Sequence, residues 1–406
     1  MLTTAYSNPE LSMSSCPFSV KPDFDPLAPE TLDSPHALYK DMREQCPVAY
    51  SDRWNGFWTL TKFEDIAAVL ADSKTFITSV QNVVPKVAYT GRRPPLHFDP
   101  PEHTPYRNAL NPLFRPAMMA EWEPRVRGYA RELLQPIVTR GHGDICEEFS
   151  YRLPIFVLAE FFNVPVNEAH LIREVGAKFN RALQNADDET VKQQSLLLYD
   201  FARSIVARRK AEPQDPLRDP TSALLAARAH GEPLPEDMII GTIRQLLVVG
   251  IIAPTVVIGS MVAHLAEHIE LQNQLRANPK LIPAAIEELL RLYSPYRGFA
   301  RTATRDVEIR GRKIKQGEPI ALLFTSANRD EAAFEKADQF DIDRPNKHMA
   351  FGRGPHQCAG APLARIELKI AMEEILAQTK GFKVTGPLQM TRWPEYGPIS
   401  VPITVT

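Results

Sequence analysis

The sequence predicts a mainly α-helical chain carrying small antiparallel β-sheets, and three observations lead to that expectation. The stretch from Pro235 to about His268 is too long and too hydrophobic for a surface helix, so it should cross the core. From Ala361 the run Ala-Pro-Leu-Ala-Arg-Ile-Glu-Leu-Lys-Ile-Ala-Met places apolar residues at helical spacing. Residues 299–325 alternate instead, as in Val307-Glu-Ile-Arg-Gly and Pro319-Ile-Ala-Leu-Leu-Phe, which marks hairpins.

Composition narrows the class. The 406 residues are 44% hydrophobic and 24% charged, with a formal net charge of −2. That balance suits a chain able to bury a large core and argues against a dedicated nucleic-acid binder. Cys16, Cys46, Cys146 and Cys358 are far apart, with neither zinc spacing nor a disulfide framework, so a reducing cytoplasm is expected. The residues to Asp25 lack a basic region followed by an apolar run, and no uninterrupted apolar run reaches the roughly eighteen residues of a membrane span. No signal peptide and no membrane association are expected. Residues 1–25, polar and rich in Ser and Pro, read as a flexible arm, and 26–406 as one catalytic domain.

Along the chain, Pro35 to Gln45 reads as a short amphipathic helix. Val48-Ala-Tyr and Gly56-Phe-Trp-Thr-Leu-Thr read as two strands, and Phe63 to Ala71 as a helix. Residues 77–98 carry Pro85, Gly91, Pro94 and Pro95 without periodicity and form a long loop of the kind that is often functional. Asp99-Pro-Pro-Glu-His-Thr-Pro-Tyr-Arg107 opens a helix, with Thr104 as N-cap and Pro105 at the first helical position. Met118 to Arg209 gives successive helices broken at Gly141–Gly143 and at Pro165, followed by a Pro-rich surface linker over 211–220. Leu281 to Tyr293 is a helix in which Glu288 and Arg291, three apart, can pair.

The chemistry centres on Phe351-Gly-Arg-Gly-Pro-His-Gln-Cys-Ala-Gly360. Cys358 lies in a glycine-rich loop at the mouth of the last long helix, where free N–H groups and the helix dipole favour a thiolate. A buried structural cysteine is the bland alternative. Phe351, Gly354, Cys358 and Gly360 fill the pattern Phe, two residues, Gly, three residues, Cys, one residue, Gly, and so resemble the haem-ligand loop of the cytochrome P450 family. The resemblance runs from about residue 30 to the end. It implies the P450 fold, a triangular prism with haem b between the long distal helix and the proximal Cys-loop helix.

By the same resemblance Cys358 is the axial iron ligand, in a loop with Phe351, Gly352 and Gly360. His103, Arg107, Arg301 and His356 would hold the propionates, with arginine suited to carboxylates by its two-pronged fit. Glu288 and Arg291 would brace the thiolate loop, and Arg365 would belong to a basic patch docking the electron donor. The pocket would be lined by Val249, Ala253, Phe179, Leu183, Arg297 and Phe299. Arg297 would pair a substrate carboxylate or else face outward in a salt bridge.

Relatives carry Gly, one residue, an acid, then Thr on the distal helix. Counted from Gly250, those positions are Ile252 and Ala253, both apolar. Pro254 has no N–H, so the Gly250 carbonyl loses its i+4 donor and the helix should kink. That carbonyl could hold a proton-relaying water. A bulge bringing Thr255 into place, or a kink without chemical role, are the alternatives. The resulting expectation is a bacterial monooxygenase inserting one oxygen atom from O2 into a small hydrophobic or aromatic substrate, by hydroxylation or O-demethylation. Electrons would come from a separate iron–sulfur ferredoxin, or a flavodoxin, with its reductase. A peroxide-driven or oxidative-coupling enzyme and a haem-based gas sensor or carrier are the alternatives.

Overall fold

The long apolar stretch forms one helix of 32 residues, Glu236–Glu267, and most other helices pack on it. The computed structural model describes residues 22–33, 35–86, 90–185 and 187–406, so most of the expected N-terminal arm lies outside the described residues. In chain order the helices begin with α1 (Pro29–Asp33), α2 (Pro35–Gln45), α3 (Phe63–Ala71), α4 (Thr104–Leu110) and α5 (Pro116–Arg140). Next come α6 (Leu153–Phe161), α7 (Val166–Gln184), α8 (Asp188–Ala211), α9 (Pro220–Ala226) and α10, the long helix. The last four are α11 (Ile269–Ala277), α12 (Ile282–Leu292), α13 (Phe324–Ala327) and α14 (Ala361–Gln378).

Local chemistry sets several of these boundaries. Gly141 ends α5 at φ 77°, a left-handed position that glycine adopts without strain. Asp187 caps α8 by accepting the Thr190 N–H, and Asp219 caps α9 by accepting that of Ser222. At α4 the expected cap is displaced by one residue. His103 is the N-cap and Thr104 the first helical residue, because the chain already turns helically at His103, φ −72° and ψ −23°.

The strands also join more widely than local alternation suggests. Val48–Ser51 pairs antiparallel with Phe57–Leu60, which runs parallel to Pro319–Leu322. That strand pairs antiparallel with Phe299–Ala303, and the latter with Phe76–Ile77. One five-stranded mixed sheet therefore replaces two separate antiparallel pieces. Alternation fixes which face of a strand is buried; it carries no information on which distant strand supplies the neighbour. A second sheet ties the end of the chain, Pro402–Val405, to Phe382–Val384 and His142–Asp144.

The main core gathers apolar residues of α5, α6, α8, α10, α12 and α14. Helix α10 is the one described helix long and apolar enough to cross a membrane, and 72% of its apolar window is buried within the protein. Its hydrophobicity is that of a core helix. At the N-terminal edge Phe24 is buried, and Asp23 pairs with Arg312 at 2.8 Å, so the chain is anchored just before residue 26.

Beneath the Cys358 loop lies a buried ionic hub. Arg291 Nε and Nη2 donate to the Glu288 carboxylate at 2.8 and 2.7 Å. Arg291 also donates to the carbonyls of Asn328 (2.7 Å), Ala337 (2.6 Å) and Gln339 (3.1 Å). Glu288 Oε1 in turn accepts the Asp341 N–H and Arg344 Nε, both at 3.0 Å. Both charges are thus paired and their remaining hydrogen-bonding capacity is used. Removing one partner of such a pair costs about 3–5 kcal/mol. Glu288→Ala should therefore yield little folded protein at 37 °C and a sharply lowered urea midpoint; a midpoint near that of the parent chain would contradict a structural role.

Candidate active site

Residues 351–360 are shaped by glycine where the backbone demands it. Gly352 and Gly354 sit at φ 66° and 69°, and a Cβ on Gly354 would collide with the Leu70 carbonyl at the end of α3. The Cys358 N–H donates to the Phe351 carbonyl at 2.9 Å, closing the loop. Gly360 differs from this pattern: its backbone is at φ −79°, and a Cβ there would meet nothing within 4 Å.

Cys358 is exposed, whereas Cys46 and Cys146 are buried. Protein nevertheless surrounds it closely. Burial pushes the thiol up, against the N–H groups of Gly360 and Ala361 and the charges of Arg107 and Arg365. In the protein alone, burial therefore outweighs the helix-start effect expected from the sequence. A thiol in this loop is suited to a metal, whose own charge would complete the deprotonation.

The predicted anion-holding residues come together beside this loop. The His103 and His356 rings lie 4.9 Å apart, and His103 Nε2 is 3.1 Å from the Pro355 carbonyl. Arg107 donates to the Gln357 carbonyl at 2.8 Å. Arg301 is buried and donates to its neighbour's carbonyl, Ala300, at 2.8 Å. Neither arginine has a carboxylate within ion-pair distance among the described residues. Burial depresses Arg301 to about 10.

Asp99 and Thr78, to which the sequence reading assigned no role, complete the cluster. Thr78 Oγ1 lies 3.2 Å from His356 Nε2 and donates to Asp99 at 3.1 Å. Burial opposes ionisation of Asp99, yet hydrogen bonds from His356, Ser79 and Thr78 hold its carboxyl well below the usual range. The Thr78 and Ser79 N–H groups hold the Asp99 carboxylate at 2.8 and 3.1 Å. Several cationic or polarisable donors share this one carboxylate, so the site has capacity for further anions. A haem's two propionates and its iron fit this donor set and the exposed Cys358.

The opposite wall is α10. Val249 is 41% exposed on a helix that is mostly buried, and Ala253, one turn on, is half-buried. Both expected lining positions thus share an open stripe. The helix runs unbroken through Pro254. Thr255 is turned into the core, where its hydroxyl donates to the Ile251 carbonyl at 2.8 Å and lies 3.2 Å from the Ser150 carbonyl. The bulge that would bring Thr255 into the cleft is absent, so Thr255 leaves the set of catalytic candidates. A Cβ on Gly250 would lie 3.2 Å from Leu158 Cδ1, so glycine lets α6 close against that flank.

Two further expectations are corrected. Arg297 is fully buried and points away from the cleft, donating to the carbonyls of Thr31 (2.5 Å) and Thr391 (3.5 Å) with its guanidinium 5.1 Å from the Tyr396 ring. It ties the N-terminal segment to the C-terminal one and can hold no substrate. Arg365 is engaged by Glu287 at 2.6 and 3.0 Å and covers the Phe351 ring at 4.5 Å. Its charge is used within the protein. Phe299 is half-buried beside Tyr296, Leu183 packs against the main core, and Phe179 is buried under the Arg244 guanidinium. Arg244 and Gln245 carry no role in the sequence reading and Arg93 figures there only as a residue of the long loop; a single charge within an apolar helix was the available signal.

This thiol loop, cation cluster and open distal stripe occur on a chain whose relatives are clear. The family model for Cytochrome P450 matches residues 177–395. Cytochrome P450 109 of Bacillus spizizenii is 34% identical over 353 residues, covering 85% of this chain and 84% of that protein. The mycinamicin IV hydroxylase/epoxidase of Micromonospora griseorubida is also 34% identical, over 360 residues, covering 85% of this chain and 89% of that one. The solved cytochrome P450 CYP109Q5 from Chondromyces apiculatus superposes with a TM-score of 0.85 at 29% identity, over 93% of this chain and 97% of that one. With the fold, the thiol loop and these relatives in agreement, the chain belongs to the cytochrome P450 family of haem-dependent monooxygenases.

Proposed function

We propose that this chain is a ferredoxin-driven monooxygenase that hydroxylates or O-demethylates a small hydrophobic or aromatic substrate. The observation that carries this reading is the exposed Cys358 thiol at the start of α14, beside the His103–Arg301–His356 cluster. Bound at Cys358, haem supplies the reductive activation of dioxygen. One oxygen atom enters the substrate and the other leaves as water, which consumes two electrons from the donor and two protons.

The chain's own contribution is placement and proton supply. Arg301, Arg107, His103 and His356 hold the propionates. Val249 and Ala253 present an apolar face that seats the substrate and keeps bulk water out. The Gly250 carbonyl lacks its Pro254 donor and holds a water that passes protons into the cleft. An acidic ferredoxin docks on the Cys358 face, and the free thiols Cys46 and Cys146 suit a reducing cytoplasm. The turned-in Thr255 and the apolar Ile252 and Ala253 also favour a second reading, in which peroxide replaces the electron donor.

Three experiments test these assignments. Cys358→His should retain haem but lose the long-wavelength ferrous–CO band of thiolate ligation; survival of the band would exclude Cys358 as ligand. Replacing both Arg107 and Arg301 by alanine removes charged hydrogen bonds, each contributing about 1.5–3 kcal/mol, and should accelerate haem transfer to apomyoglobin. Unchanged transfer would remove these residues from the site. Finally, Thr255→Ala should keep NADH use coupled to product, whereas Pro254→Ala, which restores an N–H for the Gly250 carbonyl, should divert electrons to peroxide. Uncoupling by Thr255→Ala would defeat the carbonyl–water route, and no effect in either variant would favour peroxide as the oxidant.

A further inference from the structure

Arg365 and Glu287 carry charges that neither haem placement nor substrate placement uses. Glu287 stands on α12 next to Glu288, yet it turns to a separate set of partners. Arg365 reaches it with both prongs, Nε to Oε1 at 2.6 Å and Nη2 to Oε2 at 3.0 Å. His348 Nε2 lies 3.0 Å from Glu287 Oε2, and the Asn346 side-chain amide donates to the same oxygen. The Ala350 N–H donates to His348 Nδ1 at 3.1 Å, so that nitrogen carries no proton and Nε2 is the donor to Glu287. Burial opposes ionisation of Glu287, yet hydrogen bonds from His348 and Arg365 hold its carboxyl at about 2. One full cation and one full anion therefore stand side by side, and the neighbouring imidazole is neutral.

This pair lies one aromatic ring away from the thiol loop. The Arg365 guanidinium is 4.5 Å from the centre of the Phe351 ring, and the His348 ring is 6.1 Å from it. The Phe351 carbonyl in turn accepts the Cys358 N–H at 2.9 Å. Side-chain exposure is 39% for Arg365 and 18% for Glu287, so water screens their charges only in part. A cation held over this ring stabilises negative charge that accumulates at the sulfur, and a carboxylate opposes it. Charges and hydrogen bonds just outside a metal's ligands are the means by which a protein adjusts its electronic properties.

We propose that Arg365 is a positioning residue whose cation, oriented over the Phe351 ring by Glu287 and His348, sets the reduction potential of haem ligated by Cys358. Reduction adds one electron, and hence one negative charge, so Arg365 raises the potential and Glu287 lowers it. The inference rests on Cys358 as the iron ligand, the assignment proposed above.

A dye-mediated spectroelectrochemical titration of the haem-loaded protein, without ferredoxin or substrate, tests it. Arg365→Gln should move the ferric–ferrous equilibrium about tenfold toward ferric, a drop of about 59 mV for one electron. Glu287→Gln, which keeps the shape and a hydrogen-bonding side chain, should move it the opposite way. The double variant should return toward the parent value, because it exchanges two cancelling charges for two neutral amides. Arg365→Lys keeps the charge without the fork; it should stay nearer to the parent than to Arg365→Gln, and it serves where Arg365→Gln loses haem. Shifts of the same sign in Arg365→Gln and Glu287→Gln, as simple loosening of the loop would give, would overturn the proposal. So would parent-like potentials in both, or an Arg365→Lys potential equal to that of Arg365→Gln. The two readings fail separately. Parent-like potentials leave the monooxygenase assignment standing, whereas a ferrous–CO band that survives Cys358→His removes the ligand on which both depend.

Discussion

The site depends on the buried pairing of Glu288 with Arg291. From that pair a path of hydrogen bonds and short backbone links reaches the Cys358 N–H. Arg291 holds the Asn328 carbonyl, and the Asn328 side chain accepts the Met349 N–H at 2.7 Å. The Met349 carbonyl accepts from Gly352 at 2.8 Å, and the Phe351 carbonyl accepts from Cys358 at 2.9 Å. Each group is fixed by the one before it, so the position of a single sulfur is set by an ion pair on another helix. A low local dielectric strengthens such a chain and penalises any break in it.

Much of the frame is legible in the sequence because it rests on short-range rules. The bounds of α2 and α3 and the interruption at Gly141–Gly143 follow from periodicity, capping and glycine conformation. The thiol loop is legible because its chemistry needs particular residues at particular spacings. What sequence could not give is direction. Arg297 and Arg365 stand at positions where a cation was expected to serve substrate or partner, yet one ties down Thr31 and Thr391 and the other Glu287. A long flexible cation reaches whichever acceptor the fold brings close, and those acceptors lie 266 and 78 residues away in sequence. Arg244 was hidden for the opposite reason: a charge within an apolar helix is read over when hydrophobicity is averaged along it.

The distal helix shows how composition can redirect chemistry without altering shape. Where the resemblance led to an expectation of an acid and an alcohol, Ile252 and Ala253 stand on a helix that continues unbroken. The nearby hydroxyl of Thr255 is committed to carbonyls in the core.

The roof of the cleft is fitted with almost no clearance. A Cβ on Gly241 would strike the Arg92 carbonyl, and one on Gly91 would lie 2.5 Å from the Tyr199 hydroxyl oxygen. Loop 90–98 is therefore seated on α8 and α10 by two glycines, with the Thr90 and Ser195 hydroxyls 2.6 Å apart as a latch. At position 241 a single methyl group would meet backbone and force the loop off α10, whereas at position 91 it would meet only the tip of the Tyr199 ring.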